Sequence, residues 1–227
     1  PPPLSTNHFS PMEFWTLYSK MNYPSIPVFE IWGLLMARPQ KYNQPMVLNA
    51  ASDLFNTQGY RGTSIEQLLE VTQLSRSSLY HGFGNKEAVY LKVMDHIAAE
   101  SAVLYKDLAN EHGPEDFLRL FFQCYHTDTL ARIPGKGCLL VNTVVELSDS
   151  EPVLVKRAID YLKLAEQSLT IYFKRAQKNG QLADQHNPKA LAKFYMNTKK
   201  GLMVSLRHGT PLKELTGVID TALQLIK

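Results

Sequence analysis

The chain is poor in several features that mark whole classes of proteins. It contains only two cysteines in 227 residues, Cys124 and Cys138, which are too few for a disulfide framework and lack metal-ligand spacing. The longest apolar run near its start, residues 28–37, is interrupted by Glu30 and falls short of the roughly 20 residues that a membrane span requires. We therefore expect neither a disulfide-stabilised protein, nor a metal site, nor a membrane partner.

An excess of one charge is also missing. The formal net charge is +3, and residues 36–96 hold six Lys and Arg against five Asp and Glu. Any binding to nucleic acid must therefore depend on where single charges lie, because the overall balance is nearly neutral. The first residues, Pro1 to Leu4, also lack the basic cluster that opens a secretory signal. The sequence predicts a cytoplasmic protein.

Signatures of catalysis are absent as well. The sequence has no glycine-rich phosphate loop after a strand, no quartet of metal ligands and no recognisable nucleophile motif. His126, His186 and His208 stand alone, and a lone histidine is more often a surface or core residue than a ligand or base. We expect a protein that is not an enzyme and that needs no cofactor.

What the chain does contain changes near residue 36. Residues 1–35 hold six prolines, both tryptophans and no sustained helical period. Beyond residue 44, apolar residues recur three and four apart, without strand-like alternation. The sequence predicts an all-α protein in which a helical part follows an atypical extension (1–35). In an alternative interpretation, residues 1–35 form an arm packed on the domain.

The spacing between residues 63 and 83 predicts two short helices joined by a tight turn. Thr63 and Glu66 fit a capping box that opens the first helix, and Ser75 is placed to cap the second. Because Leu79 and Phe83 lie four apart and face inward, other side chains occupy the outer face. These are Arg76, Ser77, Tyr80 and His81. Such side chains suit base edges and phosphates in a major groove.

A longer motif contains these helices. It reads Gly-Tyr-Arg-Gly-Thr-Ser-Ile from residue 59 and Leu-Ser-Arg-Ser-Ser-Leu-Tyr-His-Gly-Phe-Gly-Asn-Lys-Glu-Ala from residue 74, and it resembles the TetR family of repressors. The resemblance implies a helix-turn-helix DNA-binding domain (36–90) followed by a helical effector-binding and dimerisation domain (91–227). It also implies phosphate contacts by Thr63, Tyr80 and Lys86, and base reading by Arg76, Ser77 and His81. Ser75 would serve first as a cap. The motif departs from the family pattern at Gln73, where glycine is usual, and at Leu69, where alanine is common.

Structural alternatives exist for the three phosphate contacts. Tyr80 can pack against the next helix, Lys86 can be a solvated cation, and Thr63 is needed as a cap in any case. Two rival classes stay open, an enzyme and a helical adaptor that binds proteins, but an adaptor would not explain Arg76, Tyr80 and Lys86 together.

Behind the motif, turn and boundary residues divide the chain into helices. We predict them near 86–109, 114–131, 137–148, 151–179, 187–208 and 212–226. The resemblance implies that the last two pair with a second subunit, so that a homodimer binds double-stranded operator DNA. An apolar stripe fits this interface, with Gly201 and Ser205 permitting close helix approach. The stripe consists of Leu212, Leu215, Val218, Ile219, Leu223 and Ile226, and its alternative is burial within one subunit.

The resemblance also implies a small-molecule effector that releases the protein from DNA. Six aromatic or histidine side chains are possible lining of its pocket, although such stripes are more often core. They are Phe121, Phe122, Tyr125, His126, Tyr161 and Tyr172.

Cys138 is a separate sensing candidate. It opens an apolar helix behind Lys136, where the helix dipole favours a reactive thiolate. The surrounding Gly-Cys-Leu-Leu-Val-Asn resembles a branch of the TetR family in which some members sense electrophiles or oxidants through a cysteine. Its alternative is plain packing, the commoner role of a free cysteine.

Overall fold

The computed structural model describes residues 42–123 and 137–227. Within these ranges the regular secondary structure consists of helices alone, without a strand, which confirms the all-α prediction. The helices are α1 (Gln44–Gly62), α2 (Ile65–Thr72), α3 (Arg76–Gly82), α4 (Lys86–Glu111), α5 (Pro114–Gln123), α6 (Leu139–Leu147), α7 (Pro152–Lys178), α8 (Pro188–Arg207) and α9 (Leu212–Leu223), followed by a 3-10 turn (Gln224–Ile226).

Helix α1 bends sharply near its end. Its inward face is apolar, with Val47, Leu48 and Phe55 buried. At Gly59 the backbone leaves the helix with φ of 77° and ψ of 174°, a region that residues other than glycine essentially avoid. The sequence predicts the end of the helix at this glycine, and the structure adds one further turn after the kink.

Helices α2 and α3 form the helix-turn-helix. The capping box that opens α2 uses Ser64 and Gln67, so the predicted pairing of Thr63 with Glu66 is wrong. Both pairs have the spacing that a capping box requires. Thr63 does not serve as the cap because its side chain turns inward and donates to the Gly59 carbonyl over 2.7 Å. The turn before α3 contains Gln73 in the left-handed conformation, with φ of 55°.

Helix α4 joins this unit to the rest of the fold. Asn85 caps its start by accepting a hydrogen bond from the Ala88 amide over 2.9 Å. The ring of Tyr90 meets Phe55 edge-on at 4.6 Å between centroids and lies 5.0 Å from Tyr60. Its hydroxyl lies 2.8 Å from that of Thr143 on α6. One tyrosine therefore contacts both α1 and α6.

A second core lies among α5, α7, α8 and α9. The rings of Phe117 and Tyr172 lie 4.1 Å apart, and Tyr195 donates to the Ala222 carbonyl over 3.1 Å. The apolar stripe of α9 is predicted from the sequence as a subunit interface, with burial within one subunit as the alternative, and three of its residues follow the alternative. Leu215, Ile219 and Leu223 are buried within the subunit, because α9 packs on α5 and α8.

Two further properties concern the described residues alone. No helix there has the length and apolar character needed to cross a membrane. Within residues 42–123 and 137–227, no group of three or more His, Cys, Asp or Glu side chains lies close enough together to hold a metal ion.

Candidate DNA-binding surface

The outer face of α3 is an exposed polar surface. Ser75 caps the helix by accepting a hydrogen bond from the Ser78 amide over 3.1 Å, while Leu79 and Phe83 anchor the opposite face in the core. Tyr80 is 45 % exposed, so it does not pack away against α4. The polar side chains exposed here are Ser75, Arg76, Ser77, Tyr80 and His81. We call these five residues the reading face.

Arg76 of the reading face is paired across the turn. Its Nη2 donates to Oε1 of Glu66 on α2 over 2.7 Å. The hydrogen bond from Arg76 lowers the pKa of the Glu66 carboxyl, and the same bond raises the pKa of the Arg76 guanidinium. Both groups are therefore charged at neutral pH, and Arg76 presents a cation whose direction is defined by Glu66.

Thr63 and Lys86, which the family resemblance implies as phosphate contacts, make hydrogen bonds within the protein. Thr63 is buried. The Lys86 ammonium donates to the carbonyls of Tyr60 and Thr63, each at 3.0 Å, and lies 4.3 Å from the centre of the Tyr60 ring. A cation at these carbonyls offsets the negative end of α1. An ammonium has three protons, and these two carbonyls accept two of them. Phosphate binding by Lys86 therefore stays a prediction.

A contact that sequence reasoning missed holds the end of α1. The carboxylate of Glu146 on α6 accepts hydrogen bonds from the Tyr60 amide at 3.1 Å and the Arg61 amide at 2.8 Å. The Arg61 side chain reaches Ser150 at 2.7 Å. A Cβ added to Gly59 would lie 2.6 Å from Glu146 Oε2, so a larger residue would displace this carboxylate from the two amides, in addition to the strain of the backbone angles. We call Gly59, Tyr60, Arg61 and Glu146 the α1–α6 junction.

One sequence signal pointed to this junction. Glu146 is the one charged residue of α6, whose sequence is LLVNTVVEL. A carboxylate in so apolar a helix requires a partner. Nothing in the sequence identifies that partner, because Tyr60 and Arg61 lie more than 80 residues away and bind through their backbone amides.

Of the six predicted effector-pocket residues, the four within the described ranges do not form one site. Phe121, Phe122 and Tyr172 are buried and belong to one aromatic cluster with Phe117. Desolvation by burial raises the pKa of Tyr172 to about 12, so its hydroxyl stays neutral. All three side chains are packed as core. Tyr125 and His126 lie outside the described residues.

Tyr161 belongs to a different environment. Its hydroxyl donates to Asp95 over 2.6 Å, and Arg157 binds the same carboxylate at 2.6 Å. Burial, with the nearby Asp95 carboxylate as a further cause, raises the pKa of Tyr161. This group fastens α7 to α4.

Cys138 is buried at the N-terminus of α6. It is the N-cap residue, one position before the first turn, and its thiol makes no capping hydrogen bond. The cysteine is thus positioned on the same helix as Glu146, at the opposite end.

Family models match both parts of the chain. Residues 47–93 match the model for bacterial regulatory proteins of the tetR family. Residues 114–216 match the model for the tetracyclin repressor-like C-terminal domain. The first match contains the helix-turn-helix and the reading face, and the second extends from α5 into the first turn of α9.

Whole-chain comparisons agree with these matches. The chain is 26 % identical over 190 residues to the HTH-type transcriptional repressor ComR of Escherichia coli, covering 83 % of this chain and 90 % of ComR. It is 23 % identical over 177 residues to the repressor AcnR of Corynebacterium glutamicum, covering 77 % and 87 %. Both relatives are transcriptional repressors by name.

A solved structure shares the fold. The structure is that of a cysteine mutant of the TetR family regulator CifR bound to 26-bp double-stranded operator DNA. It superposes on this chain with a TM-score of 0.73 at 22 % sequence identity. The superposition covers 84 % of this chain and 100 % of the CifR chain. The fold, the exposed helix-turn-helix and the two family matches, which together cover well over half of the chain, lead to one assignment: the protein belongs to the TetR family of transcriptional regulators and is not an enzyme.

Proposed function

We propose that this protein is a sequence-specific repressor that acts in the cytoplasm, binds double-stranded operator DNA through the reading face and is released by an effector. The DNA-binding domain would comprise residues 36–90, and the effector-binding and dimerisation domain residues 91–227. The observation that carries the proposal is the reading face itself. It presents an arginine, hydroxyls, an imidazole and a phenol to solvent, on a helix whose opposite side is fixed by buried Leu79 and Phe83.

Selection of bound sequences from random duplexes tests this function. We expect the wild-type protein to enrich a sequence with two related half-sites, because two recognition helices of a dimer meet DNA about one turn apart. Affinity for the enriched duplex should fall steeply as salt rises, since phosphate contacts release counterions. Recovery of no preferred sequence, with weak binding to every duplex, would contradict the proposal.

Homodimerisation through α8 and α9 is part of the proposal. The support is the presence of exposed apolar and small residues in this part of the chain, where a side chain added at Gly201 or Gly217 would meet nothing within 4 Å. The exposed apolar residues of α8, of α9 and of the 3-10 turn after it are Phe194, Val204, Val218 and Leu225, and we propose them as the interface face. Among the stripe residues whose side chains the structure describes, Val218 is exposed and Ile226 is half-buried.

A charge on this face tests the dimer. We expect Val204→Lys to give a monomer that keeps its helical content and loses operator affinity, because a buried ammonium at a subunit interface lacks a partner. Sedimentation velocity measures the mass. A matched control is Val103→Lys, which changes another exposed valine, on α4. A dimer that survives Val204→Lys would remove α8 from the interface.

Release from DNA has two candidate triggers, a reversible small molecule and modification of Cys138. A thiol at the start of α6 supports the second, because adding atoms to a buried side chain displaces the helix that carries Glu146. The buried position equally fits plain packing. Treating wild type and Cys138→Ser with an alkylating electrophile separates the two. Loss of operator affinity in wild type alone supports sensing by Cys138. Equal responses of wild type and Cys138→Ser would leave a reversible small molecule as the trigger.

A further inference from the structure

Glu66 and Arg76 connect the two helices of the helix-turn-helix on their solvent side. Glu66 is the second residue of α2 and Arg76 the first residue of α3. Their charged groups meet at 2.7 Å, although the two side chains are 68 % and 58 % exposed, respectively. The sequence motif assigns Glu66 to a capping box, but Gln67 fills that role. The Glu66 carboxylate therefore has Arg76 as its side-chain partner.

We propose that Glu66 is a specificity-determining positioning residue, which holds the Arg76 guanidinium in the direction needed to read a base pair. This inference rests on the proposed function, in which Arg76 belongs to the reading face. Glu66 would act through Arg76 and would not itself contact the bases.

The geometry of a guanidinium explains why its orientation matters. Arginine discriminates guanine through two parallel hydrogen bonds from a planar fork. A free arginine on a helix surface samples many rotamers, and ordering it on binding reduces affinity. Here one nitrogen, Nη2, is already bound by Glu66, and the Tyr80 side chain also interacts with the guanidinium. The contact with Glu66 restricts the rotamers of Arg76 before DNA arrives and leaves further N–H donors of the group for a ligand.

The charge of Glu66 favours specificity in a second way. Binding to any duplex depends on phosphate contacts, which an exposed carboxylate near the DNA opposes. That penalty applies to every sequence, whereas an ordered Arg76 favours only the duplex with the matching base pair. Glu66 is expected to lower general affinity and to raise the ratio between specific and general binding.

The test compares two glutamates of α2 with the same change of charge. Glu66→Gln removes the carboxylate that holds Arg76, and Glu70→Gln removes an exposed carboxylate whose side chain does not bind Arg76. Affinity is measured for the duplex selected with wild-type protein and for a scrambled duplex, at several salt concentrations. We expect both variants to bind the scrambled duplex slightly more tightly. Only Glu66→Gln should lower the specific-to-scrambled ratio, by about three- to tenfold, part of the discrimination that one base contact supplies.

A double-mutant cycle distinguishes positioning from a general effect. In an Arg76→Ala background, Glu66→Gln should leave the ratio unchanged, because the group that it positions is absent. Equal ratios for Glu66→Gln and Glu70→Gln would overturn the proposal, and so would a full loss that persists without Arg76. Failure of the proposed function would look different, since wild-type protein would then bind both duplexes alike. Matching thermal melts of all variants exclude misfolding.

Discussion

The α1–α6 junction and the reading face differ in how their polar groups are satisfied. At the junction, the Tyr60 and Arg61 amides are paired with one carboxylate from a distant helix. On the reading face, the side chains of Ser77 and His81 have no hydrogen-bond partner within the described part of the chain. Groups that hold the fold together are paired internally, while groups available to a ligand face water. The contrast teaches where substitutions should affect folding and where they should affect recognition.

The largest expected effect comes from Gly59→Ala at the junction. The backbone angles at this position are unfavourable for alanine, and the new Cβ would collide with the Glu146 carboxylate at 2.6 Å. We expect the free energy of unfolding to fall by about 3 kcal/mol. Chemical denaturation at fixed protein concentration measures the change, because dimerisation would otherwise alter the midpoint.

Gly62→Ala is the matched control for that substitution. Gly62 lies in the same helix, and an added Cβ would approach only Gln58, at 3.6 Å. We expect stability to stay the same or to rise by up to about 1 kcal/mol, because alanine favours the helix. Similar losses for both variants would mean that the kink at Gly59 has no special role.

A smaller effect is expected from Glu146→Gln. Two backbone amides donate to this carboxylate, and hydrogen bonds to a charged group typically contribute about 1.5 to 3 kcal/mol. The glutamine keeps one acceptor oxygen, so we expect a loss of about 1 to 2 kcal/mol in the same denaturation experiment.

Asp149→Asn is the matched control for Glu146→Gln. It removes an exposed charge two residues beyond the end of α6 and should change the unfolding free energy by less than about 0.5 kcal/mol.

A double-mutant cycle tests the contact between Gly59 and Glu146 directly. In a Glu146→Ala background, Gly59→Ala should cost less than in wild type, because the collision is gone and only the backbone strain remains. Strictly additive losses would show that the two residues do not interact.

The smallest effect is expected at the turn between α2 and α3. Gln73 adopts φ of 55°, a conformation that costs non-glycine residues about 1 kcal/mol or more. Its side chain offsets part of this strain by donating to the Glu70 carbonyl over 2.5 Å. Gln73→Gly should therefore raise the unfolding free energy by about 0.5 to 1 kcal/mol, and Gln73→Ala should lower it. A Gln73→Gly variant less stable than wild type would indicate that the side-chain bond outweighs the strain.

Sequence reasoning reached local features and missed distant ones. The helix-turn-helix, the inward Leu79 and Phe83 and the Ser75 cap follow from spacing within a few residues, whereas the left-handed Gln73 lies where the family pattern has glycine. Spacing places the capping box one residue too early, because two overlapping pairs fit the same pattern. The Lys86 contacts and the Glu146 junction depend on backbone groups of other helices.

The partner of the α9 stripe is indistinguishable from the sequence for a similar reason. Its apolar residues repeat with helical spacing along one broad face, so periodicity alone cannot say which part of that face meets the subunit's own core. Packing on α5 and α8 decides this, as buried Leu215 and exposed Val218 demonstrate.

The most direct measurement of the central claim repeats the selection from random duplexes with Arg76→Ala. If the reading face recognises sequence, the enriched half-site should keep its length and spacing but lose its base preference at one position in each half, since a good base contact supplies about 1 to 3 kcal/mol of discrimination. Unfolding free energy should stay within about 0.5 kcal/mol of wild type, because Arg76 is an exposed residue. An unchanged preferred sequence would contradict the assignment of α3 as the element that reads the DNA.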